Sequence, residues 1–297
     1  MARNKVKSTP FRENNGGVPF NASGVTQVGP RRFVFIDNKD PAAFFEMTLD
    51  GDTAGGIRRR RLTGVGRETL GDPEGLAKVE VNGEVLLIAS SSLCVERQHA
   101  NDGLVRVRYA PEGDLRTEAM DGFRAWLLAQ EPTLAAAAGR EPDDGGLNIE
   151  GLAWDPRTGT LLFGLRGPAE PGHLAVVRVP ADIGGTRWTT ALLGPPAVVR
   201  ARTPRQGAAQ GIRDISYDAQ AGDFLLLLGR STSQGRDPFQ LCTWNGSSDH
   251  VRPLDVIFHR TMKPEGVTRF SFGGKQKVLV VDDCGGYAVL GLAGQEK

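Results

Sequence analysis

From Ala22 to the end, short apolar runs alternate with glycine- or proline-bearing turns. The clearest case is "LNIEGLAWDPRTGTLLFGLRGP", Leu147 to Pro168: an apolar run, a turn at "DPRTG", and a stronger apolar run ending on Arg166. Two such runs separated by turn residues predict a β-hairpin. Four other stretches repeat the pattern: "ASGVTQVGPRRFVFIDN" from Ala22, "PEGLAKVEVNGEVLLIASSS" from Pro73, "IRDISYDAQAGDFLLLLGR" from Ile212 and "PEGVTRFSFGGKQKVLVVDD" from Pro264. A third apolar run follows each hairpin ("AAFFEMTL", "GLVRVRYA", "HLAVVRVP", "QLCTWNG", "YAVLGL"), and a fourth follows most of them ("GIRRRRL", "RWTTALLG", "VRPLDVIF").

Repeats of this length, each supplying four short strands, predict an all-β protein and specifically a β-propeller. Five blades are expected over one domain spanning 1–297. Six is the alternative if Asn101 to Leu147 conceals a degenerate blade. The last copy stops after its third strand, so the N-terminal arm, residues 1–20, is expected to supply the missing one. The alanine-rich "EAMDGFRAWLLAQEPTLAAAA", Glu118 to Ala138, predicts helix broken near Pro132. It places a helical insertion between blades over residues 115–142.

The repeat also aligns chemistry. One equivalent position carries Ser23, Glu74, Glu150, Arg213 and Glu265, at steps of 51, 76, 63 and 52 residues. In a propeller these residues begin the innermost strands and face one mouth of the central channel. Asp37, Asn38, Ser91, Arg166, Arg230, Asp282 and Asp283 end the second strands on the same side. Three readings follow. Glu74, Glu150 and Glu265 are enough hard oxygen ligands to suggest Ca2+. The same glutamates can instead pair with Arg213, Arg166 and Arg230 as a structural ring. The arginines, with Ser23, Asp282 and Asp283 beside them, can also hold a small anionic ligand or a protein loop. A structural ring with ligand binding at the mouth is the preferred reading, and no cofactor is required by it.

Composition narrows the partners. The chain has 297 residues and a formal net charge of +1, which gives no overall pull toward nucleic acid or anionic membrane. The basic run Arg58 to Arg61 is expected to be a solvated outer edge strand, where charge blocks edge pairing. No run of 18 apolar residues predicts a membrane span. Cys94, Cys242 and Cys284 are odd in number and far apart, so no disulfide framework is expected. The N-terminus has no apolar leader, which predicts a cytoplasmic protein as given, or a periplasmic or secreted one if a signal was removed. A monomer is expected. His99 is the histidine best placed to reach the mouth, against the ordinary reading of a surface-loop residue. No His pair has metalloprotease spacing, and no GxSxG elbow is present. Trp154 and Tyr217 occupy equivalent positions and are expected to pack between blades.

"NIEGLAWDPRTGTLLFGLRGP", "GIRDISYD" and "KPEGVTRF…VLVVDD" resemble a bacterial β-propeller family of unknown function related to the "esterase-like activity of phytase" domain. The resemblance covers the chain apart from the N-terminal arm and the helical insertion. A weaker similarity, the Glu-Gly opening of an inner strand, links it to the gluconolactonase and paraoxonase propellers. That similarity implies a divalent metal on carboxylates at the channel mouth, and so an alternative function: metal-dependent hydrolysis of phosphoester, ester or lactone substrates. Ser23 and Arg213 depart from the pattern, since neither is a carboxylate.

Overall fold

Each apolar run of the repeat is a strand. In the computed structural model, which describes residues 4–205 and 209–292, the chain is 54% strand and 7% helix, an all-β protein. Five antiparallel meanders follow one another, named here units one to five. Unit one is Ala22–Gly29, Arg32–Asp37, Ala43–Asp50 and Thr53–Thr63. Unit two is Pro73–Val81, Glu84–Ser91, Leu104–Arg108 and Leu115–Ala119. Unit three is Asn148–Asp155, Thr160–Gly167, His173–Pro180 and Ala197–Arg202. Unit four is Gln210–Asp218, Asp223–Arg230, Gln240–Trp244 and Arg252–Pro253. Unit five is Pro264–Phe272, Lys275–Asp282 and Gly286–Gly291, with Thr9–Pro10 from the N-terminal arm as its fourth strand. That arm strand pairs antiparallel through Thr9 with Tyr287 and Pro10 with Gly286. Just before it, Asn4–Val6 pairs in parallel with Val256–Phe258.

The first strands pack side by side in chain order, and the first strand of unit five returns to that of unit one. This is a propeller-like closure, and it explains the unbroken apolar second strands. A strand sandwiched between neighbouring sheets is covered on both faces and needs no polar alternation. Phe33 to Ile36 and Leu225 to Leu228 are accordingly all buried. Five apolar layers fill the gaps between consecutive units. Between units five and one, Phe11 of the arm stacks on Phe35 and Tyr287 at ring separations of 5.3 Å. Between units two and three the layer is completed by the inserted helix α1, Phe123–Gln130, and by α2, Pro132–Ala135. Phe123 and Leu127 are the buried face of α1, and Pro132 at the first turn of α2 ends the preceding helix.

Three expectations need correcting. The insertion begins later than residue 115, because Leu115–Ala119 is the fourth strand of unit two. "RWTTALLG" is not a strand. Thr190–Leu192 is a 3-10 turn there, and Ala197–Arg202 takes the outer position of unit three. The basic run is a solvated edge only in part. Leu62 and Thr63 pair in parallel with Leu115 and Arg116, joining units one and two into an eight-stranded sheet. Arg60 is only 2% exposed; it bonds Glu46 at 2.8 Å and the Ala110 and Gly113 carbonyls at 2.7 and 2.9 Å. Arg58 and Arg59 bind Glu46 and Asp40. Arg58 and Arg60 reach across to residues 110–113 of unit two, whereas Arg59 pairs within unit one and Arg59 and Arg61 remain exposed.

Candidate functional site

In four of the five first strands the pairing register skips one residue, and it is the aligned one: Glu74, Glu150, Arg213 and Glu265. In unit one the skipped residue is Gly24, next to Ser23. A bulge leaves one residue unpaired and re-aims its side chain. The ring residues are therefore turned out of the sheets by the same local irregularity. The glycine after the glutamate has a separate reason. A Cβ on Gly24 would lie 2.9 Å from the Glu74 carbonyl oxygen, and one on Gly75 2.6 Å from the Leu152 Cβ. On Gly151 it would lie 3.0 Å from the Ile215 nitrogen, and on Gly266 3.0 Å from the Val25 nitrogen. Each glycine lets its strand touch the next. Unit four has Asp214 instead, a buried carboxylate that accepts hydrogen bonds from Ile215 N at 2.8 Å and Val267 N at 2.7 Å. Burial pushes the Asp214 carboxyl well up from the ordinary range, against the pull of those two amides.

The five ring side chains are brought together. Arg213 Nε donates to Glu265 Oε2 at 2.6 Å while Nη2 bonds Glu265 Oε1, a bidentate pair. Nε also lies 2.9 Å from Glu150 Oε2, a charge contact without hydrogen-bond alignment. Arg166 Nη1 donates to Glu150 Oε1 at 2.8 Å, and Asn148 Nδ2 to the same oxygen at 3.3 Å. The two glutamates and Arg213 are almost wholly buried. Burial pushes Glu265 up to about 8, opposed by Arg213 and reinforced by Glu150. Arg213 is raised as well: burial works against its charge, but the charges of Glu150 and Glu265 outweigh that burial.

Glu74 has no arginine partner among the described residues. It bonds Asn38 Nδ2 at 3.4 Å, the Ser23 hydroxyl and the neighbouring Asp72. Burial, then the charges of Asp72, Glu150 and Glu265, raise it well above the usual carboxylate range. Asp72, raised mainly by burial, hydrogen-bonds to Glu74 and Ser92. The pair behaves as two carboxyls that cannot both ionise in one dry pocket.

The remaining expected residues separate by role. Asp282 is a turn cap, accepting Lys263 N at 3.1 Å and Cys284 N at 2.9 Å. Asp283 lies 3.5 Å from Lys263 Nζ and close enough to raise Glu265 by its charge. Arg230 pairs with no carboxylate among the described residues; its guanidinium lies over the Phe239 ring at 6.0 Å. Among the described residues the buried Nε atoms of Arg166 and Arg230 have no acceptor, and the buried Asn148 Oδ1 and Gln210 Oε1 have no donor. Gln210 is the register partner of Arg230, and Gly211 abuts the Arg166 backbone, so these groups share one mouth. His99 is exposed on a two-stranded ladder with Glu96 and is not part of the ring.

Ca2+ on Glu74, Glu150 and Glu265 does not fit this arrangement. A guanidinium already neutralises two of the three carboxylates, and a cation would have to displace it. A different group was missed in the sequence. Asp72, Cys94 and Glu96 place a carboxylate oxygen, a thiol and a second carboxylate oxygen within 4.8 Å of one another. Ser92 Oγ lies 3.0 Å and Asn101 Nδ2 3.3 Å from the Cys94 sulfur. Asp72 precedes the repeat, and Cys94 and Glu96 lie in the connection between the second and third strands of unit two, so alignment of copies could not find them. The unusual length of that connection was the available signal.

No family model and no curated protein sequence matches the chain. The resemblance to the phytase-related family thus stands on its quoted motifs alone. Among solved structures, a putative glycosidase from Bacteroides thetaiotaomicron is similar at 12% identity and TM-score 0.43, over 94% of this chain and 87% of that one. A glycosyl hydrolase from Bacteroides ovatus is similar at 12% identity and TM-score 0.44, over 91% and 82%. A mutant Trypanosoma rangeli sialidase gives 12% and 0.40 over 95% of this chain and 56% of that one. At this level the likenesses carry no argument about activity.

Proposed function

We propose that the chain is a closed five-bladed propeller that binds a small anionic ligand at the mouth carrying the ring, with Glu150, Arg213 and Glu265 acting as structure. The carrying observation is the division of labour among the arginines. Arg213 is neutralised inside the ring, whereas Arg230 faces the same mouth with no carboxylate and no acceptor for its buried Nε among the described residues. A half-buried guanidinium held over an aromatic ring is pre-organised for a planar oxyanion. Inorganic phosphate, sulfate and citrate, titrated against the protein in thermal melts and calorimetry, test this. At least one should raise the melting temperature saturably, and Arg230→Gln should remove the rise without lowering the ligand-free melt. No shift with any of them, or an undiminished shift in the variant, rejects the reading.

The second reading, a metal-dependent hydrolase, is favoured only by the Asp72, Cys94 and Glu96 group. A thiol among the ligands suits a softer cation such as Zn2+ better than Ca2+. Melts with Ca2+, with Zn2+ and with chelator separate the two. The ring reading requires that Glu150→Gln lower stability by about 3 kcal/mol equally in all three, because a buried guanidinium loses one of its counter-charges. A Ca2+-dependent stabilisation abolished by Glu150→Gln would restore the metal on the ring.

A further inference from the structure

The channel has a second mouth. Two to five residues beyond the ring, the same five first strands line a cavity of about 270 Å3 on the channel axis. At a rise of roughly 3.3 Å per residue, the ring positions lie about 7 Å along the strands below Leu76 and Leu152. The cavity is thus a cup whose lining reaches down to Leu76 and Leu152, with the ring beyond them on the same strands.

Its chemistry follows the repeat. The third residue past each ring position is small: Thr26, Ala77, Ala153, Ser216 and Thr268. The fourth is long or aromatic: Gln27, Lys78, Trp154, Tyr217 and Arg269. Trp154 and Tyr217, adjacent in ring order, are half-buried and line the cup. The Tyr217 ring is braced from outside the cup by the Arg157 guanidinium at 5.6 Å and Phe224 at 5.3 Å. No described residue hydrogen-bonds to the hydroxyls of Thr26, Ser216, Tyr217 or Thr268. The charged side chains of the cup are compensated: Lys78 Nζ is 2.9 Å from Glu80, and Arg269 is paired with Asp218.

From these features we infer that this cup binds one neutral, polyhydroxylated ring, a saccharide unit. Two flat aromatic side chains accept the apolar C–H face of such a ring. Hydroxyls that both donate and accept match a sugar's own hydroxyls in either sense. Compensated charges give no net attraction to a free anion, which separates this site from the arginine mouth. The volume lies near the low end of small-molecule sites, about 300–1,000 Å3, the size for one ring and not a chain of them.

The probes are D-glucose, D-galactose, D-mannose and N-acetyl-D-glucosamine, read by saturation-transfer NMR and by tryptophan fluorescence, with Trp154→Phe assigning the optical signal. At least one should bind saturably in the millimolar range. Tyr217→Ala and, as a milder variant, Ser216→Val should each weaken it at least tenfold, with melting curves showing that both fold. Arg230→Gln should leave it unchanged. Absence of saturable binding by all four sugars up to about 100 mM overturns the inference. So does equal binding by the folded Ser216→Val and wild-type proteins, or binding of phenol with no sugar bound.

Discussion

Glu74 is the residue whose environment differs most from its repeat mates. Glu150 and Glu265 each touch a guanidinium, whereas Glu74 meets only Asn38, Ser23 and the neighbouring Asp72. Its folded-state pKa is raised well above 4.5 by burial and by like charge. A carboxyl raised on folding takes up a proton as the chain folds. Its contribution is complete below the unfolded value and is lost as pH rises through the folded one. Glu265 is pushed the same way by burial, but the bidentate guanidinium of Arg213 holds its carboxylate ionised, so the slope belongs to Glu74. The melting temperature should therefore fall between about pH 5 and pH 8.5. Glu74→Gln, which keeps shape and hydrogen bonding without the charge, should be close to wild type at pH 5 and more stable than wild type at pH 8.5. A variant with the same pH slope as wild type would show that Glu74 is ionised in the fold.

At the level of elements, the Glu-Gly pair is two devices in adjacent positions. The bulge aims the first residue, and the bare Cα of the second admits the neighbouring strand. Gly151→Ala would drive a methyl to 3.0 Å from the Ile215 backbone nitrogen and 2.9 Å from the Ile215 Cγ2. Backbone cannot swing aside, so overpacking should cost about 1–3 kcal/mol, read from chemical denaturation. Gly159→Ala is not an equivalent control, because Gly159 has φ +63 and would be strained for its own reason. Gly139→Ala, with open space around it, is the control expected to be near neutral. The repeat made the hairpins and the aligned ring residues legible in the sequence, because burial on both faces and a recurrent bulge leave periodic marks. Other features left none. The parallel seam at Leu62 and Leu115 joins strands of different units. The insertion boundary fell inside a strand of alternating polarity, "LRTEA". Asp72 and Cys94 come together through a connection that only the second unit has. Alignment shows Trp154 and Tyr217 as equivalent, which predicts packing, but not which end of a channel a side chain lines.

Over the whole molecule, closure rests on a short piece of chain. Thr9–Pro10 contributes the fourth strand of unit five, Asn4–Val6 is seated on Val256–Phe258, and Phe11 fills the layer shared with unit one. The Tyr287 hydroxyl, in that same layer, accepts from Ala54 N at 2.7 Å. Removing residues 1–11 would uncover the outer edge of Gly286–Gly291 and strip Phe11 from its stack of Phe20, Phe35 and Tyr287. Loss of a buried phenylalanine alone is worth about 3–5 kcal/mol, and the freed strand edge adds a template for intermolecular pairing. The truncated protein should melt well below the full chain and associate as concentration rises, seen by light scattering. Phe11→Ala isolates the packing part: it should lower stability by a similar amount while the Thr9–Pro10 strand still covers the edge, so scattering should stay low until unfolding begins. Equal stability of the full chain and the truncation would mean that the five units hold the ring closed without the arm.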